Sequence, residues 1–331
     1  MSILDCQHQS SILDMVCGEA ENFDLDERIE KIRKDLHPGQ LSFVDDLETE
    51  ILGISAGYGA GKTRSLCAKA LVLAAANQGF IGAVMEPTGP LIRDIWQTDF
   101  DDFLDHYEIP HSFRASPLPE YVLHLPRGDT KILCRSFESW QRIIGLNLAW
   151  VLSDEIDTVH PSIANKAFPK ILGRLRSGNV RQFAAASTPE GFRWMWQTFG
   201  SEEALSRPDR KLIKMKTTDN PHLPPDFIER LKANYDPNLL NAYLNGEFVN
   251  LTSGTVYHEF DRDLHNTDIK WNGREPLHIG MDFNVCNMSA IVSVIRNNKV
   301  YDVGEITGGY DTPSMIKSIQ ERYQNCQINI Y

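Results

Sequence analysis

The chain has 331 residues, 42% hydrophobic and 24% charged, the balance of a globular protein with room for two domains and no signal of disorder or fibre. Its longest apolar runs fall well short of the about 20 residues that a membrane helix needs, and its first residues lack the basic-then-apolar pattern of a secretory signal; an intracellular, non-membrane protein is expected. A formal charge of -12 argues against a uniformly basic nucleic-acid binder, because phosphate binding rests on Lys and Arg.

Charge is unevenly spread. From Lys166 to Lys216 there are eleven Lys/Arg against four Asp/Glu, so one basic segment sits in an otherwise acidic chain, as a DNA-facing surface or as a solvated cationic face. The cysteines Cys6, Cys17, Cys67, Cys134, Cys286 and Cys326 form no CxxC pair, so reduced thiols without zinc are expected.

In chain order, residues 1–35 are polar and acidic, with Glu19, Glu21, Asp24, Asp26, Glu27 and Glu30, and read as a loosely packed acidic arm with some helix. Pro38-Gly39 then marks a turn beside Gln40, whose amide offers the donor and the acceptor that adenine presents in reverse. An apolar run, Ile51–Ile54, leads into Ser55-Ala56-Gly57-Tyr58-Gly59-Ala60-Gly61-Lys62-Thr63. This is a phosphate-binding loop of the Walker A type, with Ala56 where the first glycine of G-x-x-x-x-G-K-[ST] would fall. Its glycines let backbone N–H groups converge on phosphate, Lys62 reaches the β- and γ-phosphates, and the Thr63 hydroxyl ligates Mg²⁺. Leu66, Ala70, Leu71 and Ala74 follow at helical spacing, which completes the strand–loop–helix setting that the motif requires.

Phe80–Met85 reads as the next strand, closed by Pro87-Thr88-Gly89-Pro90. A helix is expected through Leu91, Ile95, Trp96, Phe100, Phe103 and Leu104, its aromatic stripe being core. Tyr121–Leu125 and Lys131–Cys134 pair as a hairpin across Arg127-Gly128-Asp129. Leu148–Leu152 is an apolar strand ending in Ser153-Asp154-Glu155; an acid pair at a strand's carboxyl end suits one residue, Asp154, to the metal side and the other, Glu155, to polarising the attacking water. A further strand, Phe183–Ala186, ends in Ser187-Thr188-Pro189, small polar groups able to sense the γ-phosphate. Arg142, ahead of the acid pair, reads by itself as a surface salt-bridge partner or as an arginine that reaches a neighbouring subunit's phosphates. Together these elements predict an α/β P-loop NTPase with a mainly parallel central sheet flanked by helices.

Beyond Thr217-Thr218-Asp219-Asn220-Pro221 a helical region runs to Phe248, a linker covers 251–274, and a second domain opens with the strand Leu277–Phe283 carrying Asp282. Ala290–Ile295 and Val300–Val303 form a hairpin over Arg296-Asn297-Asn298-Lys299, a helix spans about Pro313–Tyr323, and Ile328-Asn329-Ile330 begins another strand. Glu305 reads as a solvated acid.

The joint order and spacing of the Gln40 region, the 57–63 loop, Asp154-Glu155, Ser187-Thr188-Pro189, Asp219-Asn220-Pro221, Leu244-Asn245-Gly246-Glu247-Phe248 and Gly280-Met281-Asp282 resemble the large terminase subunit of tailed bacteriophages, an ATP-driven motor that packages and cuts viral DNA. The resemblance covers about Leu36 to the end. It implies Gln40 near adenine, Lys62 and Thr63 on phosphate and Mg²⁺, Asp154 as metal-side acid, Glu155 as catalytic base, and Arg142 as an arginine supplied in trans. Many relatives carry arginine in the loop where this chain has Tyr58, so no arginine is expected from within the loop.

The resemblance further implies residues 36–250 as the ATPase domain, with 205–250 as its lid or linker subdomain, and 275–331 as the start of an RNase H-like mixed α/β nuclease domain binding Mg²⁺ or Mn²⁺. Of its three carboxylates Asp282 is the one visible, which reads as a chain truncated within that domain. Implied partners are double-stranded DNA, the portal ring, the small terminase subunit and further copies of this chain in a ring, in the host cytoplasm and without a membrane. The residues alone also admit a P-loop helicase or remodelling ATPase with a regulatory second domain, or a nucleotide-dependent assembly module without motor activity.

Overall fold

The computed structural model describes residues 23–249, 262–283 and 287–331. These fall into two compact units, one ending before and one beginning after the segment around Ser253. Most of the expected acidic arm (1–22) and much of the expected linker (250–261) lie outside the described residues.

The first unit is built on one eight-stranded sheet. Its strands are β1 (Ile51–Ala56), β2 (Ile81–Glu86), β3 (His111–Arg114), β4 (Glu120–Leu123), β5 (Thr130–Ser136), β6 (Trp150–Asp154), β7 (Gln182–Ser187) and β8 (Arg210–Met215). Their order is β3-β4-β5-β2-β6-β7-β1-β8, with the six from β5 to β8 parallel and β3 and β4 added antiparallel at one edge. Parallel strands buried on both faces read as continuous apolar runs, and β1, β6 and β7 are buried at every position.

Helices cover both faces. One core contains Leu52, Ile54, Trp150 and Leu152 with the helices α1 (Leu25–Lys34), α2 (Pro38–Val44), α3 (Lys62–Ala76) and α4 (Thr98–His106); the other contains Ile51, Val151 and Phe183 with α5 (Pro161–Leu172). The helix expected from Leu91 runs continuously from Gly89 to His106, taking a π-helical turn over Ile92–Gln97 before α4.

One expectation is corrected here. Residues 25–34 are no loose arm: Leu25, Ile29 and Ile32 stand at i, i+4 and i+7 and are buried in the core. Asp24 caps the helix, and Asp26 and Glu27 occupy the first turn, where the helix dipole favours acids. The basic segment is spread over several elements. Lys166 and Lys170 lie on α5 and four others from Arg210 to Lys216 lie on or just after β8, an edge strand with Ile213 and Met215 turned inward. Arg207 and Arg210 pair with Asp209, and Lys211 with Asp46.

After β8, helices α6 (Phe227–Asn234) and α7 (Pro237–Asn245) complete the unit. The second unit has a four-stranded sheet in the order β11-β10-β9-β12, from β9 (Leu277–Asp282), β10 (Met288–Arg296), β11 (Lys299–Gly309) and β12 (Ile328–Ile330), with α8 (Thr312–Arg322) on one face through Met315 and Ile319. The hairpin of β10 and β11 turns at Asn297 and Asn298, both at positive φ, as two-residue hairpin loops require. No helix among the described residues is long and apolar enough to cross a membrane.

Candidate nucleotide site

The carboxyl ends of β1, β7 and β6 lie side by side, and each delivers part of the site. From β1 the chain enters residues 57–61 and then α3, with Gly59 at φ +70° and Gly61 at φ +89°, a backbone region that strongly favours glycine. The carbonyls of the loop are held one by one. Thr217 Oγ1 donates to Tyr58 O at 2.8 Å, Asn220 Nδ2 to Gly59 O at 2.6 Å, His37 Nε2 to Ala60 O at 3.1 Å and Gln40 Nε2 to Gly61 O at 3.0 Å. In a trans peptide the following N–H points opposite to the carbonyl. Turning Tyr58, Ala60 and Gly61 carbonyls outward therefore turns the N–H groups of Gly59, Gly61 and Lys62 the other way, toward the helix N-terminus, where first-turn N–H groups have no intrahelical partner. Convergent N–H groups at a helix N-terminus form an anion site.

Lys62 is almost fully buried and spans the gap between strands: its Nζ lies 2.8 Å from Thr188 Oγ1, just beyond β7, and 3.2 Å from Glu155 Oε1, just beyond β6. Thr63 Oγ1 donates to Asp154 Oδ2 at 3.1 Å. Glu155 Oε2 accepts from Ser187 Oγ at 3.1 Å and from Thr188 N at 3.0 Å. Glu155 also sits at φ +42°, a conformation costing a non-glycine residue about 1–2 kcal/mol, and backbone strain of this kind clusters at functional sites. Lys62, Thr63, Asp154, Glu155, Ser187 and Thr188, separated by up to 126 residues, thus form one connected network.

Burial raises the Asp154 carboxyl above the usual carboxylate range, and the neighbouring Glu155 charge raises it further, against Lys62 and Thr63, which lower it. A third acid escaped the sequence reading. Glu86 ends β2, the strand next to β6, is 2% exposed, and its Oε1 has no hydrogen-bond partner among the described residues; burial pushes it up to about 9, with Asp154 and Glu155 adding to the shift. The signal was available, since Glu86 directly follows the predicted strand.

Tyr58 stacks its ring on Tyr243 at 4.6 Å, while its N–H donates to Tyr243 O at 2.7 Å. Ser55 Oγ donates to Gly246 O at 2.6 Å, so the end of α7 is tied to the loop's entry. Arg64, next to the site, is turned away onto the Phe103 and Tyr107 rings. Arg142 is exposed at the end of the turn Phe137–Ile143, with no carboxylate partner among the described residues; the network does not include it.

Gln40 lies against the loop, 6% exposed, with Oε1 accepting from His37 N and one Nε2 hydrogen donated to Gly61 O. In the second unit Asp282 is exposed at the end of β9, and no group of three or more metal-ligating side chains forms among the described residues.

The sequence profile described as Terminase large subunit, T4likevirus-type, N-terminal matches residues 54–263, well over half of the chain and all of the nucleotide-site strands apart from the first residues of β1. The chain belongs to the terminase large subunit family. No curated protein matches it. Among solved structures, this terminase resembles the large terminase of a thermophilic bacteriophage, with a TM-score of 0.56 at 17% identity over 88% of this chain and 77% of that one; structures of that protein include complexes with ADP and ATP-γ-S. It also resembles the large terminase of bacteriophage HK97, with a TM-score of 0.51 at 15% identity over 89% and 70% of the two chains, and the ATPase domain of the Thermus phage P74-26 large terminase, with a TM-score of 0.51 at 17% identity over 65% and 94%. At these identities the likeness is one of fold: the α/β architecture with a mainly parallel sheet is that of a large-terminase ATPase domain, followed by a second sheet.

Proposed function

We propose that this terminase is the ATP-hydrolysing motor subunit that drives double-stranded viral DNA into a procapsid, working with a portal ring, a small terminase subunit and further copies of itself. The observation that carries the reading is the convergence of Lys62, Thr63, Asp154, Glu155 and Thr188 at neighbouring strand ends beneath the loop. Residues 36–250 supply the ATPase, with 205–250 as its lid, and 275–331 open an RNase H-like endonuclease domain in which Asp282 is one metal-binding carboxylate.

The donor set fits Mg²⁺. A hydroxyl and a buried carboxylate, Thr63 and Asp154, stand within hydrogen-bond distance, and hard cations take oxygen ligands; these two residues would hold the ion, which when bound neutralises charge on the β- and γ-phosphates. The loop's N–H groups grip the phosphates. Lys62 is the cation nearest the strand ends, and it serves Glu155 and Thr188 until phosphate competes for it. Its transfer to the γ-phosphate frees Glu155 Oε1 to accept the proton of the attacking water, while Ser187 Oγ and Thr188 N hold Oε2 in place. Those two donors thereby link the state of the γ-phosphate to β7.

Glu155→Ala is expected to lower ATP turnover by at least about a hundredfold, the scale of a lost general base, with ATP binding retained in equilibrium titration. Unchanged turnover would sink the assignment. Wild-type turnover should rise with double-stranded DNA, and its absence would favour a nucleotide-dependent assembly module instead.

A further inference from the structure

We propose that Glu86 is a third acid of the nucleotide site, a positioning residue whose carboxylate holds a water ligand of the cation that Thr63 and Asp154 bind. The inference rests on the reading of that site as one for nucleotide and Mg²⁺. Glu86 closes β2, and the register of β2 on β6 runs Val84 to Leu152 and Met85 to Ser153. The next residues along, Glu86 and Asp154, therefore end neighbouring strands side by side. Side chains alternate along a strand, which puts Glu86 on the face of Val84 and Asp154 on that of Leu152. Both of those pack in the core that contains Leu66, Cys67 and Ala70 of α3. The two carboxyls thus face the helix whose first turn carries Thr63, itself within hydrogen-bond distance of Asp154. Cys67, one turn along α3 from Thr63, feels both acids: burial pushes its thiol up, and Asp99, Asp154 and Glu86 add to the shift.

A buried carboxyl without a partner is costly. Glu86 is 2% exposed, and its Oε1 accepts no hydrogen bond among the described residues. Burial disfavours its ionisation, and so do the charges of Asp154, Glu155 and Asp99, all of them negative. Packing alone would be served better at this strand end by an apolar side chain, whereas an acid suits a cation that arrives with the nucleotide. Glu86, Asp154 and Glu155 do not close into one direct ligand set among the described residues, so Glu86 reaches the ion through water. Mg²⁺ keeps several of its waters when phosphates and one or two protein groups bind it, and the hydrogens of those waters need acceptors. Glu86 Oε1 is such an acceptor, buried on the metal side of the site.

The experiment is titration of Mn²⁺, followed by the loss of its free EPR signal, into protein held in excess over ATP-γ-S, for the wild type, Glu86→Gln and Asp99→Asn. Binding of ATP-γ-S without metal, in EDTA, is measured alongside. Glu86→Gln keeps the shape of the side chain and removes its charge. It should weaken Mn²⁺ binding by about tenfold, the scale of a lost outer-shell partner, and leave metal-free ATP-γ-S binding as in the wild type. Asp99→Asn removes a charge that also reaches Glu86, but from α4, and should leave Mn²⁺ affinity unchanged. Equal Mn²⁺ affinity in Glu86→Gln and the wild type overturns the proposal. So does a matching loss of metal-free nucleotide binding, which would make Glu86 structural, or a matching loss in Asp99→Asn, which would make the effect one of overall charge. Should the buried amide prevent folding, Glu86→Leu, which leaves no polar atom unpaired, decides by the same criterion. A wild type that binds neither ATP-γ-S nor Mn²⁺ would instead overturn the reading of the site itself.

Discussion

At the scale of single residues, the strand ends hold a buried acid, Glu86, whose Oε1 has no hydrogen-bond partner among the described residues. Glu86 is raised from an ordinary value of 4.5 to about 9, first by burial and then by Asp154 and Glu155. An acid whose folded-state pKa lies above its unfolded value binds more protons when folded, so stability falls as pH rises between those two values. The nucleotide-free protein should therefore lose stability from about pH 4.5 toward pH 9. Glu86→Gln, which cannot ionise, should flatten this slope, stabilising the protein at pH 8 on the order of 1–3 kcal/mol, the cost of a buried unpaired polar group, and leaving it unchanged at pH 4. Denaturant midpoints at the two pH values measure this, and an equal shift at both would show that Glu86 is not titrating there. The residues that form the network were legible in the sequence because each carries its chemistry in a short motif. What Gln40 touches was not, since its partner Gly61 is 21 residues away and no motif records which atom of an amide is already engaged.

Elements were legible in proportion to how fully they are buried. The loop strand, the acid-pair strand and β7 announce themselves as apolar runs, whereas β8 reads Arg-Lys-Leu-Ile-Lys-Met because one of its edges and part of its face are wet. α1 was obscured by its acids, although Leu25, Ile29 and Ile32 stand at the spacing of a buried stripe. The attachment of α7 to the loop was also hidden, because it runs through backbone groups: Tyr58 N to Tyr243 O, and Ser55 Oγ to Gly246 O. Gly246 has φ +64°, and a Cβ there would meet Ser55 O at 2.5 Å. Gly246→Ala combines backbone strain with a clash against an immobile strand, so a loss of about 2–4 kcal/mol is expected. Hydrogen exchange should localise the damage by accelerating at the Tyr58 N–H; wild-type protection there, with global stability also unchanged, would mean that α7 does not anchor the loop.

At the scale of the whole molecule, the strand-end network contains one cation, Lys62, among the described residues; Tyr58 offers no charge, and Arg64 is committed to Phe103 and Tyr107, with Nη2 donating to the Tyr107 hydroxyl. Arg142 is exposed and without a carboxylate partner among the described residues, beside Ile144, itself 50% exposed. A cation next to an exposed apolar side chain suits a contact with another subunit better than a solvated surface. If Arg142 completes a neighbour's site, Arg142→Ala alone should lower turnover by at least about a hundredfold, within the range of arginines supplied in trans. Glu155→Ala should be equally inactive for a different reason. In mixed rings, a subunit carrying Arg142→Ala retains its own Glu155 and receives the intact Arg142 of a Glu155→Ala neighbour, so turnover should partly return and peak near equal mixing. Steady-state ATPase across mixing ratios, on assemblies shown by mass measurement to contain both variants, reads this directly. A flat profile in such rings would confine Arg142 to its own subunit, and any second cation would then have to come from a residue of the loop's own surroundings.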